Sequence, residues 1–350
     1  MRSIHALWAP ALVGCAGLPV SPPLAVLPLA SPTRASLRGV CAVTDRIVWV
    51  TGSDGTCLRS LDGGTTWIAC GPGLAAGRDL RDVHAFGALH AVVMAVGSPA
   101  LLLETDDGGA TWREVWRDEN PDAFLDGIAF DANGTGFAFG DPIGGRFTAL
   151  RSRDAGATWE PIGTLPRPQP GEAAFAASGT CVAMLDDGTF LVATGGGEVA
   201  RVLRGEDGGD RWRSSSTLVR AGTASRGIFS LAVHGERVVA VGGDYLQPDA
   251  TFAVAAVSDD GARTWRRPAG ASPGGYRSAA AFVPGRDGLV LVTVGPNGTD
   301  VSFDGGDNFE AADSRGFHAV AFAGEGVGFA VGADGRMARL VFDGADRTRL

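Results

Sequence analysis

Six aspartates recur along the chain inside one short motif, S-x-D-x-G-x-T-W, which is best preserved in SLDGGTTW, TDDGGATW and SRDAGATW. They are Asp62, Asp107, Asp154, Asp207, Asp260 and Asp304. A carboxylate beside a hydroxyl can serve in acid–base catalysis, but six copies spread along one chain cannot converge on one substrate. Aspartate can instead accept hydrogen bonds from turn amides, and the glycines can adopt positive φ. We therefore predict that each motif, here called a box, closes a β-hairpin.

The elements around the boxes are short strands rich in β-branched and aromatic residues, separated by Gly, Asp and Ser turns. An apolar strand that ends in glycine occurs seven times, for example as RIVWVTG and AVVMAVG, and the boxes lie 44 to 53 residues apart. A period of this size with four strands per unit is typical of a propeller. The sequence predicts an all-β fold, a seven-bladed β-propeller over residues 37–350. The last unit is short, so we expect the segment SPTRAS, upstream of the first blade, to complete it.

Two cysteines are predicted to face each other across the first box. If the box pairs Ser60 with Trp67, the same register places Cys57 directly opposite Cys70 on one sheet face. A disulfide is then expected in an oxidising compartment, and two buried free thiols are the alternative.

Other reactive groups are sparse. The five histidines have no metal-ligand spacing, no CxxC motif occurs, and the chain contains no lysine at all. The missing lysine excludes a P-loop and a Schiff-base mechanism. The sequence therefore predicts no metal site and no cofactor.

The N-terminus has the pattern of an export signal. An apolar run after Arg2 ends at Leu-Val-Gly-Cys, which resembles a bacterial lipobox, so residues 1–14 are predicted to be a signal peptide and Cys15 a lipidation site. A secretory signal cut elsewhere, or a misassigned start, is the alternative. Residues 15–36 are predicted to form a proline-rich tether, part of which is expected to close the last blade. We expect an exported monomer, periplasmic or lipid-anchored, with membrane contact only through the anchor. The net charge of −9 argues against a nucleic-acid partner.

The predicted binding face lies on the rim opposite the boxes, because antiparallel strands place the second-to-third-strand loops there. The long loops and the starts of the innermost strands supply candidate residues, each of which is otherwise a solvated rim group. They are Arg38, Arg81, Asp126, Asp141, Arg146, Glu172, Asp244, Tyr245, Tyr276, Arg277 and His318.

Taken together, the strands and boxes over roughly residues 37–350 resemble the BNR/Asp-box propellers, and most closely the group similar to photosystem II stability/assembly factors. Phrases such as FAFGDPIGGRF, FAASGT and GYRSAAAF carry this likeness. The resemblance implies a non-catalytic scaffold that binds a protein or an envelope component, with a glycan as the other ligand class.

Sialidases are enzymatic cousins of this group, and they imply a second hypothesis. A resemblance to sialidases would imply that Arg38, Arg81 and Arg277 form an arginine triad that binds the substrate carboxylate. It would further make Tyr276 the nucleophile, Glu172 its partner and Asp126 the acid/base. The sialidase Arg-Ile-Pro motif is absent, however, and Glu172 falls two blades from Tyr276. We favour the scaffold and keep a sialidase-type glycoside hydrolase as the alternative.

Overall fold

In the computed structural model, which describes residues 24–324 and 326–342, seven antiparallel sheets surround a central channel. The first strands of neighbouring blades contact one another around the ring, so they are the innermost strands. The predicted all-β, seven-bladed β-propeller is confirmed.

The first strand along the chain, β1 (Leu24–Pro28), belongs to the last blade. Blade one contains β2 (Leu37–Ala42), β3 (Val48–Gly52), β4 (Cys57–Ser60) and β5 (Ile68–Ala69). Blade two contains β6 (Leu80–Ala85), β7 (Ala91–Ala95), β8 (Ala100–Thr105) and β9 (Arg113–Asp118). Blade three contains β10 (Leu125–Phe130), β11 (Gly136–Ile143), β12 (Arg146–Ser152) and β13 (Glu160–Pro161).

Blade four contains β14 (Val182–Met184), β15 (Phe190–Ala193), β16 (Arg201–Glu206) and β17 (Arg211–Ser216). Blade five contains β18 (Arg226–His234), β19 (Arg237–Asp244) and β20 (Ala255–Ser258), and its fourth strand is reduced to one bridge between Val257 and Arg266. Blade six contains β21 (Ala279–Phe282), β22 (Leu291–Gly295), β23 (Gly298–Ser302) and β24 (Phe309–Asp313). Blade seven contains β25 (Ala319–Phe322), β26 (Val327–Val331) and β27 (Met337–Phe342), followed outward by β1.

Helical structure in the described residues is limited to three short 3-10 segments. They are Gly73–Ala75, Asp207–Gly209 and Ala333–Gly335. Among the residues that the structure describes, no helix has the length and apolar character needed to cross a membrane.

Strand β1 closes the ring. It runs antiparallel to β27, with Leu24 opposite Phe342 and Pro28 opposite Ala338. Arg315 donates a hydrogen bond of 2.7 Å to the carbonyl oxygen of Val26, which attaches β1 to the loop before blade seven. The closing strand is therefore LAVLP, within the predicted tether, and not SPTRAS, which connects β1 to blade one.

The box turns are built from their own side chains. In the fifth box, Oδ1 of Asp260 accepts hydrogen bonds from the hydroxyl of Ser258 and the amide of Thr264, and Oδ2 accepts one from the Thr264 hydroxyl. The first, second and third boxes repeat this pattern. Asp207 departs from it, because Gly205 replaces the hydroxyl residue and the carboxylate pairs with Arg211 at 2.9 Å. The boxes act as local turn structures in separate blades.

Contacts from the boxes join neighbouring blades. Trp112, at the end of the second box, donates from Nε1 to the carbonyl oxygen of Cys70 in blade one at 2.8 Å. Other contacts run from a strand of one blade to the box of the next blade. Arg204 of blade four donates to the carbonyl oxygen of Gly261 in the fifth box at 3.0 Å. Arg237 of blade five makes the same contact with Gly305 of the sixth box at 2.7 Å. The boxes therefore stabilise blade packing as well as their own hairpins.

Cys57 and Cys70 have the register that the sequence indicates. Leu58 pairs with Ala69, and the amide of Cys70 donates to the carbonyl oxygen of Cys57 at 2.9 Å. Both thiols are free and buried, with their sulfur atoms 3.2 Å apart. The disulfide between them stays a prediction. The predicted signal peptide and the lipidation site Cys15 lie outside the described residues.

Candidate functional site

The inner strands of four blades carry a β-bulge at the same position. The register shifts between Leu37 and Gly39, between Leu80 and Asp82, between Leu125 and Gly127, and between Ile228 and Ser230. A bulge inserts one extra residue and re-aims its side chain. The four extra residues, which face the channel, are Arg38, Arg81, Asp126 and Phe229.

Blades four, six and seven supply Ala177, Ser278 and His318 near the starts of their inner strands. Each blade thus contributes to one cavity of about 440 Å³, at the rim opposite the boxes, here called the mouth. A volume of this size is within the range of small-molecule and side-chain pockets. The mouth is lined by Arg38, Arg81, Phe124, Asp126, Ala174, Phe175, Ala176, Ala177, Phe229, Tyr245, Tyr276, Ser278, Pro296 and His318.

The segment that leads into blade four crosses the channel beneath the mouth. The Ala176 carbonyl oxygen accepts a hydrogen bond of 2.8 Å from Arg81 of blade two. Two residues later, the Ser178 hydroxyl donates to the carbonyl oxygen of Ser278 in blade six at 2.8 Å. These contacts span opposite sides of the ring, so the mouth has a floor.

One side of the mouth is aromatic. The rings of Phe175 and Phe229 stack with their centroids 3.9 Å apart. Tyr276 meets Phe229 edge to face at 4.7 Å, and Tyr245 does so at 6.2 Å. Stacked and edge-to-face rings form a rigid apolar surface, so this side is suited to an apolar or aromatic group.

The other side of the mouth is cationic. Arg81 forms an ion pair with Asp79 at 2.5 Å. Among the described residues, Arg38 has no acidic group within 4.0 Å, and its buried Nε has no hydrogen-bond partner. Burial lowers the pKa of Arg38, and the positive charge of Arg81 lowers it further. Burial and the charge of Arg38 lower the pKa of His318 to about 4, so His318 is neutral at pH 7.

Three carboxyl groups lie in or near the mouth: Asp126 and Asp82 are buried, and Asp141 is half-buried. Asp126 is 0% exposed, and its carboxyl group lies within hydrogen-bonding reach of the carboxyl group of Asp141 and of the amide of Ala176. Burial and the nearby charge of Asp141 raise the pKa of Asp126 well above its usual range. Burial also raises the pKa of Asp141 to about 6 and that of Asp82 to about 7. The carboxyl of Asp82 accepts hydrogen bonds from the amides of Val83 and Ile128, each 2.8 Å long.

Two predicted site residues are placed elsewhere. Glu172 is buried in an ion pair of 2.6 Å with Arg201, and it also accepts a hydrogen bond from the Thr194 hydroxyl. Arg277 is buried in an ion pair of 2.6 Å with Asp300. Neither lines the mouth. The arginine triad and the Tyr276–Glu172 pair that the sialidase likeness implied are therefore not assembled.

The remaining predicted residues surround the mouth at various depths. Tyr245 and Tyr276 line it. Asp141 lies behind its wall, where it accepts a hydrogen bond of 3.1 Å from the amide of Ala174. Asp244 pairs with Arg226 inside blade five at 2.8 Å. Arg146 is exposed at the start of β12.

Sequence reasoning missed the apolar half of the mouth. Phe124, Phe175, Phe229 and Pro296 were not among the predicted site residues, because aromatic residues on inner strands are usually core. One signal was available in the repeat itself. Aligning the units LRG, LRD, LDG and IFS places Phe229 at the same position as Arg38, Arg81 and Asp126.

One further group of ligand-type side chains lies on the opposite rim. Ligand atoms of His90, Glu104 and Asp106 come within 4.8 Å of one another. Glu104 is buried. Its Oε1 lies 3.1 Å from Nε2 of His90, and the carboxylate forms an ion pair with Arg113. The charge of the carboxylate is thus already paired with Arg113.

Together these features define a seven-bladed β-propeller with a floored cavity at one end of its channel. No protein-family model matches the sequence, and no curated protein matches it in sequence.

Solved structures share the fold. "YCF48 bound to D1 peptide" is similar with a TM-score of 0.63 and 18% identity, over 93% of this chain and 99% of that chain. Virginiamycin B lyase from Staphylococcus aureus is similar with a TM-score of 0.64 and 14% identity, over 91% of this chain and 99% of that chain. A GH74 enzyme from Niastella koreensis is similar with a TM-score of 0.58 and 13% identity, over 87% of this chain and 58% of that chain. A protein bound to a peptide and two enzymes thus share this architecture, and fold alone does not select between them.

Proposed function

We propose that this protein is an exported, non-catalytic scaffold that captures a segment of a protein or envelope partner at the mouth. The observation that carries the proposal is the convergence of all seven blades on one floored cavity with an aromatic side and a cationic side. Clefts of this kind, with a few polar groups in an apolar lining, are typical binding sites. Export and lipid anchoring are supported by the pattern of residues 1–14 and by Cys15.

The comparison with YCF48 supports a peptide ligand. That protein is bound to a D1 peptide, and the structural similarity covers 99% of its chain. We transfer from it the class of ligand, a peptide segment, and not the identity of the partner.

The experiment is capture of partners from the native envelope fraction by the purified propeller. Arg38→Gln combined with Arg81→Gln removes the cationic side of the mouth, and we expect it to abolish capture. The matched control is Arg153→Gln with Arg211→Gln, two arginines whose side chains are each 63% exposed and which belong to box hairpins. Equal capture by both double variants would contradict the proposal. Arg277→Glu is unsuitable, because it would break a buried ion pair.

The glycoside hydrolase alternative has weaker support. Most glycosidases need two carboxyl groups placed on either side of the glycosidic bond, and Asp126 is the one carboxyl group among the described residues that line the mouth. The test is hydrolysis of fluorogenic glycosides, sialosides included. Turnover that disappears in Tyr276→Phe would replace the scaffold with an enzyme.

A further inference from the structure

His318 is held in the lining of the mouth by hydrogen bonds from three sides. Its amide donates to the carbonyl oxygen of Val331 at 2.7 Å, and its own carbonyl oxygen accepts a hydrogen bond of 2.7 Å from the hydroxyl of Ser278. The ring nitrogen Nδ1 lies 3.0 Å from the carbonyl oxygen of Leu37 in blade one. The imidazole ring therefore has a fixed orientation in the mouth.

The contact with Leu37 determines which ring nitrogen carries the proton. A carbonyl oxygen only accepts, so Nδ1 is the donor. The ring is neutral at pH 7, because burial and the charges of Arg38, Arg81 and Arg336 lower the pKa of His318. In a neutral imidazole the second nitrogen has a lone pair and no proton. Nε2 is therefore an acceptor, and it makes no hydrogen bond with another described residue.

The charges of the mouth restrict the kind of donor that Nε2 can meet. A cationic donor is disfavoured, because Arg38 and Arg81 repel it and burial raises the pKa of Asp126, which favours the neutral carboxyl group. The donor is therefore an uncharged N–H or O–H group.

An amide fits the remaining features of the mouth. Its N–H is an uncharged donor, and its carbonyl oxygen is the negative end of a dipole, which the positive charge of Arg38 attracts. The rings of Phe175, Phe229 and Tyr276 favour an apolar group next to the amide.

We propose that the mouth binds an amide that is carried next to an apolar side chain, with the amide N–H donating to Nε2 of His318. A peptide supplies this chemistry through its backbone, and a small amide supplies it as a free ligand. The inference rests on the proposed function only in taking the mouth as the binding site.

Calorimetric titration with 3-phenylpropionamide tests the small amide, and titration with acetyl-Gly-Phe-Gly-amide tests the peptide. Each is compared with a counterpart whose amide nitrogens carry methyl groups in place of hydrogen. We expect at least one probe to bind, and its methylated counterpart to bind about tenfold or more weakly. Binding by the peptide alone identifies a chain segment as the source, and binding by both identifies the amide group as sufficient. No binding by either, or equal binding of the counterparts, overturns this inference, whereas the capture experiment tests the proposed function separately.

Two substitutions of His318 separate the acceptor Nε2 from the structural contact of Nδ1. In His318→Asn the side-chain amide can still donate to Leu37 but does not reach the position of Nε2, so binding of the probe should weaken about tenfold. In His318→Gln the longer side chain places an acceptor oxygen near that position, so binding should change by less than about threefold. His234→Asn, at an exposed histidine on the opposite rim, is the control. Binding that the Asn variant retains, or that both variants lose equally with unchanged thermal unfolding, would overturn the acceptor role.

Nitrogen NMR of protein with isotope-labelled histidine gives a readout that does not depend on affinity. At pH 7 His318 should carry its proton on Nδ1, and the resonance of the unprotonated Nε2 should move when the probe binds. The His318→Asn variant identifies the signal among those of the five histidines. A proton on Nε2 in the free protein, or an Nε2 resonance that the bound probe leaves unchanged, contradicts the proposal.

Discussion

Glu172 lies 2.6 Å from Arg201 in a fully buried ion pair that joins the segment before blade four to β16. Both carboxylate oxygens accept hydrogen bonds from the guanidinium group, and Thr194 and Gln169 donate two more. Such a residue is held by its partners and not presented to a ligand. The pair explains why a glutamate that the sequence made a candidate nucleophile partner has a structural role instead.

Glu172→Gln should therefore destabilise the fold. Removing one partner of a buried pair leaves the other charge uncompensated, which costs about 3–5 kcal/mol. Equilibrium unfolding in urea measures this loss. The control is Glu160→Gln. The Glu160 side chain is 54% exposed, so its ion pair with Arg151 should contribute less than about 1 kcal/mol to the free energy of unfolding. Equal stability of the two variants would show that the Glu172 pair is not a structural element.

The second prediction concerns Cys57 and Cys70. Their sulfur atoms are 3.2 Å apart on paired strands, so little movement is needed to join them. Non-reducing peptide mapping of protein exported to the periplasm should show these two residues linked, and Cys41 and Cys181 as thiols. The link closes a short loop and should raise stability by about 3 kcal/mol over the reduced protein. Two free thiols in exported protein would contradict the prediction.

The same two cysteines show how far sequence reasoning could go. Repeats and box turns determine strand register locally, so the blade count and the facing of Cys57 and Cys70 could be predicted. Positions at the starts of inner strands also follow from the repeat, and the structure places Arg38, Arg81 and Asp126 on one cavity. The ion pairs of Glu172 with Arg201 and of Arg277 with Asp300 could not be predicted, because the two partners of each pair are more than 20 residues apart in the sequence. The closing strand does lie within residues 15–36, as expected, but the choice of SPTRAS was wrong, since the prolines around LAVLP resembled a tether.

The third prediction concerns closure of the ring. A variant that begins at Ser31 lacks β1 and leaves β27 as an exposed edge strand, whereas one that begins at residue 23 keeps β1. Loss of the β1–β27 pairing and of the buried Val26 side chain should lower the free energy of unfolding by at least about 3 kcal/mol. Thermal unfolding of the two variants compares them directly. Similar melting of both would mean that the ring is stable without β1.

The last prediction concerns the box carboxylates and has a pH signature. Burial alone would raise the pKa of Asp260, but hydrogen bonds from Thr264, Ser258 and the amide of Arg263 hold it at about 2. Because the folded value lies below the unfolded one of about 3.9, the ionised carboxylate stabilises the fold above pH 4, and this contribution is lost as the pH falls through about 2.

Asp260→Ala should accordingly cost about 1–2 kcal/mol at pH 7, as expected for a turn that loses its hydrogen bonds, and the difference from the wild type should shrink near pH 2. The control is Asp207→Asn in the degraded box. Asp207 makes no comparable turn contacts, and asparagine tolerates its positive φ of 53°, so its stability should match the wild type at every pH. Unfolding in urea at pH 7, 4 and 2 measures all three proteins. A cost of Asp260→Ala that is constant across these values would mean that the turn is held by its glycines and backbone, not by the carboxylate.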